Sequence, residues 1–447
     1  MPHMTKRDIL ELTQHDRVEY VHLQISDLNG ILKGVTIPVS KLEGAIDDGI
    51  WFDGSSIEGF TRIFESDMYL KLDLDTYAVT PWTKNGPQAV AARIICDVYM
   101  PDGAPFEGDP RYILKKQLAR AQALGYVYNV GPELEFFLFK KENGKLLPLP
   151  HDTAGYFDQT TDLATEIRQE MTFALRGFGI DVEALHHEVA FGQHEIDFHY
   201  DEALKIADQT STFKYTLKYV AIQHGLHASF MPKPIAGING SGMHVHQSLF
   251  STEGKNLFYD PTDDYHLSSV ARSFIQGQLV HIKALNAVVN PTVNSYKRLV
   301  VGYEAPVYVA WGQRNRSAMI RIPRCTPGRE NGVRAELRCP DPSANPYLAF
   351  AVMLAAGLDG IEKKMVPPPP VEENIYEFTD DEASRRNIST VASDLREALQ
   401  SLEADPVIRD VLGEYTFEKF SSLKTAEWNE YRLQVTPWEL DAYLEKY

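Results

Sequence analysis

The chain has 447 residues, enough for two or more domains and a large core. Its 44 basic and 62 acidic residues give a net charge of −18, which argues against a broad nucleic-acid-binding face but leaves room for a local basic site for a phosphorylated ligand. Three cysteines (Cys96, Cys325, Cys339) without a Cys-x-x-Cys spacing point to a reduced, cytoplasmic protein with no disulfide frame or zinc site, and the longest apolar run, Ala349 to Leu358, is too short to span a bilayer.

Residues 1–104 read mainly as strands: Tyr20 to Ser26, Ile31 to Ile37, Tyr69 to Leu74 and Val90 to Val98. Asn29-Gly30 between the first two is a hairpin signal. A short helical stretch covers Ser40 to Ile50, and Trp51 to Phe60 is rich enough in Gly and Ser to read as a long loop. A sharp helix start follows, with Asp109 as N-cap, Pro110 at the first helical position and Gly125 as the stop. From residue 105 onward strands alternate with amphipathic helices at Asp162 to Phe178, Glu202 to His224, Ser268 to Val289 and Asn345 to Lys364. Pro367 to Pro370 breaks the pattern, and a mainly helical tail runs to Tyr447. The expectation is an α+β protein with domains at 1–104 and 105–447.

Three of the predicted strands carry paired functional side chains: Glu133-x-Glu135, His244-x-His246 and Glu336-x-Arg338. Residues i and i+2 of a strand share a face. The apolar neighbours Phe137, Val245 and Leu337 imply burial, and buried carboxylates on one face need positive charge among them. A single Glu-x-Glu is ordinarily a solvated strand edge; three such pairs favour divalent cations. Glu188 and Glu195 flank a Gly-Gln turn and can join the group. Oxygen donors with one imidazole favour Mg²⁺ or Mn²⁺ over Zn²⁺. Arg298, Arg314, Arg316, Arg321, Arg334 and Arg338 supply guanidinium groups suited to phosphate and carboxylate, so the set suggests phosphoryl transfer from a nucleotide. There is no GxxxxGK[ST] phosphate loop.

Six blocks in order, DGSSIEGF (53–60), GPELEFF (131–137), HHEVAFGQHEI (186–196), KPIAGINGSGMHVHQSL (233–249), NSYKRLVVGYEAP with RNRSAMIRIP (294–323), and ELRCPDPSANPYLA (336–349), resemble type I glutamine synthetase over essentially the whole chain. The resemblance implies a small β-grasp-like N-terminal domain and a catalytic domain with a mainly antiparallel sheet. It implies ATP-driven condensation of glutamate with ammonium through γ-glutamyl phosphate, with two or more Mg²⁺ or Mn²⁺ ions per site. By the match, Glu135, Glu188 and Glu195 hold one metal and Glu133, His244 and Glu336 the other. Asn239, Gly240, Arg298 and Arg338 fall at glutamate-binding positions, and Glu183, Tyr200, His246, Ser248, Arg321 and Arg334 at ATP-contacting ones. Asp53 matches the ammonium-binding proton acceptor, Arg316 the arginine that stabilises the transferring phosphoryl group, and Glu304 a flap residue that shields the intermediate. The resemblance also implies a homododecamer of two hexameric rings with sites between subunits, and leaves regulatory protein partners open.

Arg62 matches an arginine tied to glutamine feedback in the shorter, unmodified branch, whereas Asn374-Ile-Tyr376-Glu lacks the prolines of the adenylylated tyrosine motif. Three departures stand out: Val301 where the flap normally has proline, Phe64 in place of an acidic residue, and a longer 324–333 segment carrying Cys325. A ligase for a larger amine and a non-catalytic family member are the competing readings. The intact DGSSIEGF block opposes the first, and the complete ligand set opposes the second.

Overall fold

The computed structural model describes residues 3–447 except 58, 60–66, 85–87, 143, 144, 149–151, 304, 316, 327, 379 and 387. The predicted sites at Arg62, Glu304 and Arg316, and the Phe64 departure, lie outside the described residues.

The N-terminal sheet is built from β1 (Tyr20–Ser26), β2 (Leu32–Pro38), β3 (Ile50–Asp53), β4 (Asp67–Leu72), β5 (Ala78–Val79) and β6 (Ala91–Tyr99). Its order is β2-β1-β6-β4-β3, with β5 also on β6. Strands β1 and β6 run parallel and the other pairs antiparallel. The hairpin predicted at Asn29-Gly30 is present, with Tyr20 opposite Pro38 and Ser26 opposite Leu32. Two expectations need correction. The segment read as a loop from Trp51 begins as the edge strand β3, because Trp51 packs at a tilt against Tyr69 across the β4 pairing (5.4 Å) and the Gly-Ser turn starts only at Gly54. A helix at Lys6–His15, missed in the sequence, is closed by a Thr5/Asp8 capping box.

The larger sheet comprises β7 (Val127–Glu142), β8 (Lys145–Pro148), β9 (Val182–His187), β10 (Gln193–Phe198), β11 (Asp201–Glu202), β12 (Leu226–Ser229), β13 (Met243–Phe250), β14 (Tyr308–Gly312), β15 (Ala318–Arg321) and β16 (Ala335–Leu337). Its path is β14-β15-β16-β13-β7-β10-β9, with β8, β11 and β12 also on β7. Within this sheet, only the β14–β15 pair is parallel among the described strands.

Alternation along these strands separates core from site. Leu134, Phe136 and Leu138 of β7, Val245 and Leu249 of β13, and Leu337 of β16 enter the main core. The intervening residues face the other way, where Phe137, Phe139 and Ala190 form a separate small apolar cluster. The core side is filled by helices Ala203–Gln223, Ser269–Val280 and Pro346–Glu362. The last two touch backbone to backbone: a Cβ on Gly360 would lie 2.0 Å from the Ser273 carbonyl oxygen, and one on Gly277 2.1 Å from that of Ala356. The helix predicted from Ser268 to Val289 is two, Ser269–Val280 and Ile282–Val289, parted at His281. Its ring is held there by Asp405 (2.6 Å) and Asp359 (3.1 Å).

The two sheets are joined by buried Arg111, in the first turn of the helix Pro110–Ala123. It reaches Asp73 (2.7 Å) and Asp97 (2.7 Å) beside the small sheet and Asp208 (2.9 and 3.0 Å) in the catalytic core. Such a forked, charge-assisted contact fixes orientation as well as distance. The predicted helical tail is present as Leu395–Ala404, Pro406–Tyr431 and Pro437–Tyr443.

Candidate active site

Register brings the paired residues of separate strands together. Glu133 lies directly opposite His244, Glu135 opposite Glu195, Glu195 opposite His186, and His246 and Arg321 both opposite Glu336. Opposed residues of antiparallel strands share a face, so six strands load one surface with charge.

On one side of this surface His244 Nδ1 is 3.6 Å from Glu133 and 3.8 Å from Glu336. These spacings are too long for hydrogen bonds and match donors grouped around one cation with ligand bonds of roughly 2.0–2.1 Å. His246 is engaged otherwise. Arg334 Nε donates to its Nδ1 (3.0 Å), so Nε2 carries the proton and donates to Glu133 (2.7 Å). Glu336, almost fully buried, is paired with Arg321 and with Arg338 (3.2 Å). Burial opposes the charge of Glu133, but His246 and His244 outweigh it and hold the carboxyl well below its usual range. Glu336 is lowered too, with burial overcome by the two histidines and the arginines.

The other side is short of positive charge. Glu188 and Glu195 approach His186 at 3.6 and 3.1 Å. Burial, then the Glu188 charge, pushes Glu135 up to about 8, despite Arg298 and the Gly242 N–H. Burial and the charges of Asp197 and Glu135 hold Glu195 well above the carboxylate range, and Asp197 rises to about 7. Crowded carboxylates that cannot all ionise, with imidazole beside them, fit hard divalent cations.

Glu135 is positioned by Gln193 Nε2 and by the Gly242 backbone N–H, each 2.9 Å away, and Gln193 also donates to the Gly240 carbonyl (3.1 Å). Gly242 lets the backbone pass close to the buried Arg298: an added Cβ would stand 2.4 Å from its Nη2. Arg298 is buried and donates to the carbonyls of Cys339 (2.8 Å), Pro340 (3.2 Å) and Arg338 (3.2 Å). Asn239 and Gly240 lie on the loop before β13, three and two residues ahead of Gly242. The sequence reading missed Gln193, His186 and Asp197. Gln193 and Asp197 flank Glu195 at two-residue spacing, which is the available signal.

Next to the Glu133–His246 end opens a cavity of about 670 Å³, lined by Glu183, Tyr200, His246, Ser248 and Arg334 among others. Thus five of the six predicted ATP-contacting residues line one space, and Arg321 sits on adjacent Glu336. The segment 328–332 forms a wall. Asn256, also unforeseen, holds it through the carbonyls of Glu330 (3.2 Å), Asn331 (3.2 Å) and Val333 (2.8 Å).

Asp53 is elsewhere. It ends the edge strand β3 of the small sheet, exposed, with its carboxylate accepting from Ser55 N–H (2.8 Å).

A carboxylate cluster fit for divalent cations, beside a cavity of nucleotide size with Arg329 and Arg334 in its lining, defines a metal-dependent, nucleotide-using enzyme. Residues 17–101 match the family model described as glutamine synthetase, beta-Grasp domain, and residues 107–443 the one described as glutamine synthetase, catalytic domain. Glutamine synthetase of Thermus thermophilus is 54% identical over 99% of both chains, that of Thermotoga maritima 53% over 99% of this chain and all of its own, and that of Methanosarcina mazei 50% over 98% of both. Among solved structures, a GmaS/ADP complex superposes with a TM-score of 0.89 at 34% identity, covering 98% of this chain and 99% of its own. Plasmodium falciparum glutamine synthetase gives 0.87 at 26% identity over the same shares. The chain belongs to the glutamine synthetase family. It forms glutamine from glutamate and ammonium, driven by ATP, and uses Mg²⁺ or Mn²⁺. Among the described residues no helix is long and apolar enough to cross a membrane.

Proposed function

We propose that the two ends of the charged surface divide the labour of a two-stage ligase. Glu135, Glu188 and Glu195 hold one divalent cation, and Glu133, His244 and Glu336 a second nearer the nucleotide cavity. When bound, these ions orient the phosphates and offset the charge that develops on the transferring phosphoryl group. The observation that carries this reading is the cross-strand register, which sets four of these ligands opposite one another beside a 670 Å³ cavity.

Glu183, Tyr200, His246, Ser248, Arg321 and Arg334 bind ATP; Asn239, Gly240, Arg298 and Arg338 bind glutamate. A γ-carboxylate oxygen attacks the terminal phosphorus, and ADP leaves with the bridging oxygen. Arg316 is assigned to the charge on the equatorial oxygens. Asp53 binds ammonium and accepts its proton, since only the free amine is a nucleophile. The nitrogen then attacks the acyl carbon and phosphate departs. Glu304 and its flap keep water from the acyl phosphate.

Asp53 lies on the small sheet while the nucleotide-side cavity is lined by residues between Asn129 and Arg334, which supports an assembly whose neighbouring subunit supplies Asp53. We assign a dodecamer of two hexameric rings. Exposed Leu433, Val435, Trp438 and Leu444 on the C-terminal tail support burial between subunits. Arg62 is assigned to glutamine feedback without covalent modification, and the location to the cytoplasm.

A coupled assay with glutamate, ATP and Mg²⁺ tests the substrate assignment. Phosphate release that needs ammonium, with diamines inactive, is the expected result. Preference for a diamine would replace ammonium with a larger amine.

A further inference from the structure

Behind the hairpin that presents Glu188 and Glu195 lies a buried polar chain that the reaction does not itself use. In β9 and β10 the site-facing residues His186 and Glu195 are opposed, and so are their core-facing neighbours His187 and His194. These two rings meet edge to face at 4.8 Å and are 1% and 0% exposed. His187 Nε2 is 3.2 Å from Asp152, and its Nδ1–H donates to the Glu188 carbonyl (2.6 Å). His194 Nδ1 accepts from Arg168 (2.8 Å), whose guanidinium is forked onto Asp162. Asp152 and Asp162 bracket the segment leading into the helix Thr165–Gly177. That segment is also tied to the hairpin by the Phe157 N–H to the His187 carbonyl (3.2 Å), and Phe157 packs edge-on against His186 (4.8 Å).

Asp152, His187 and His194 bring three donor atoms within 4.8 Å of one another. Tautomer chemistry excludes a cation there. A guanidinium can only donate, so His194 Nδ1 is the acceptor and Nε2 carries the proton. No lone pair of that ring remains for a metal.

We propose that His187 and His194, held by Asp152 and by the Arg168–Asp162 pair, are positioning residues that set the backbone of Glu188 and Glu195 for cation binding. Each histidine directly precedes one of the two carboxylates, and a strand residue clamped on one face fixes the direction of its neighbour on the other. This inference rests on the ligand assignment given above.

The test measures Mn²⁺ binding to metal-stripped, full-length protein by calorimetry and by the Mn²⁺-induced rise in melting temperature. His187→Asn can place an amide N–H near the Nδ1 position and keep the bond to the Glu188 carbonyl. His187→Gln places its donor toward Asp152 and loses that bond. Expected for His187→Gln is one Mn²⁺ site weakened about 10- to 100-fold, as for loss of an outer-shell partner, with the other site unchanged. The Mn²⁺ concentration for half-maximal activity should rise while kcat at saturating Mn²⁺ is retained, and His187→Asn should restore wild-type binding. Wild-type affinity in His187→Gln, or equal weakening in both variants, overturns the proposal. If His187→Gln does not fold, Asp152→Asn is read the same way: one weakened site supports the proposal and two unaltered sites overturn it. Glu188→Ala separates the two readings. Retention of both Mn²⁺ sites there refutes the ligand assignment; loss of one, with His187→Gln binding normally, refutes only the positioning role.

Discussion

Individual carboxylates in this site differ more in environment than in identity. Glu133 and Glu336 are compensated by histidine and arginine and stay ionised, whereas burial and then mutual repulsion keep Glu135 and Glu195 protonated well above the ordinary range. Glu188→Ala should therefore cost activity by more than about 100-fold, beyond what loss of an outer-shell partner causes. It should leave the metal-free fold at least as stable as wild type, because a repelling charge is gone. Glu133→Ala should lose activity as fully but lower the metal-free melting temperature, since His246 loses its partner. Melting curves with and without Mn²⁺ check both, and a full Mn²⁺-induced shift in either variant would contradict its ligand role. The same chemistry fixes a pH dependence. A carboxyl whose folded pKa is raised binds its proton more tightly folded than unfolded, so protonation favours the fold. For Glu135 the window runs from its ordinary 4.5 to about 8. The metal-free protein should lose melting temperature as pH rises through that window, and saturating Mn²⁺ should flatten the decline. A flat metal-free profile would contradict the assignment.

At the scale of elements, two-residue spacing made the strand pairs legible in the sequence, because a strand's alternation is fixed by covalent geometry. Glu133-x-Glu135 and His244-x-His246 needed no knowledge of their neighbours to be placed on one face. Gln193 was not legible in the same way: its importance comes from reaching Glu135 and the Gly240 carbonyl, contacts that only the fold creates. The break at His281 was hidden for a similar reason. Apolar periodicity runs through it, and its cause lies 78 and 124 residues away in Asp359 and Asp405. Burial opposes a charge on His281, but the two carboxylates outweigh it and raise its pKa. Stability from this bridge is fully present below the ordinary value of 6.5 and is lost as pH rises through the raised value. His281→Leu should lower stability by roughly 2–4 kcal/mol in acid, since two largely buried carboxylates lose a charged partner. The deficit should shrink toward alkaline pH. Denaturant unfolding at several pH values measures this, and a deficit that does not vary with pH would show that packing, not charge, matters at the helix break.

At the scale of the whole molecule, the proposed assembly has one chain carry two halves of different sites. Asp53 closes an edge strand of the small sheet, while the residues proposed as metal ligands and nucleotide contacts belong to the domain of the large one. Arg111 and its three aspartates orient the two sheets, and Asp53 stands exposed at the edge of the smaller one. If a ring neighbour receives it, an Asp53→Ala subunit lacks the proton acceptor it would present next door but keeps its own phosphoryl-transfer apparatus. An Arg316→Ala subunit has the reverse defect. Each variant alone should be inactive. Dissociating both, mixing and reassembling them should create junctions where an intact Asp53 meets an intact Arg316, and activity should return in part. For random equal mixing about one junction in four is complete, which sets a ceiling near a quarter of wild-type activity if the sites act independently. Activity and the proportion of mixed assemblies, measured on the same samples, decide the matter. Verified mixed rings as inactive as either parent would mean that the reaction is completed within one chain, and that Asp53 does not serve the neighbouring site.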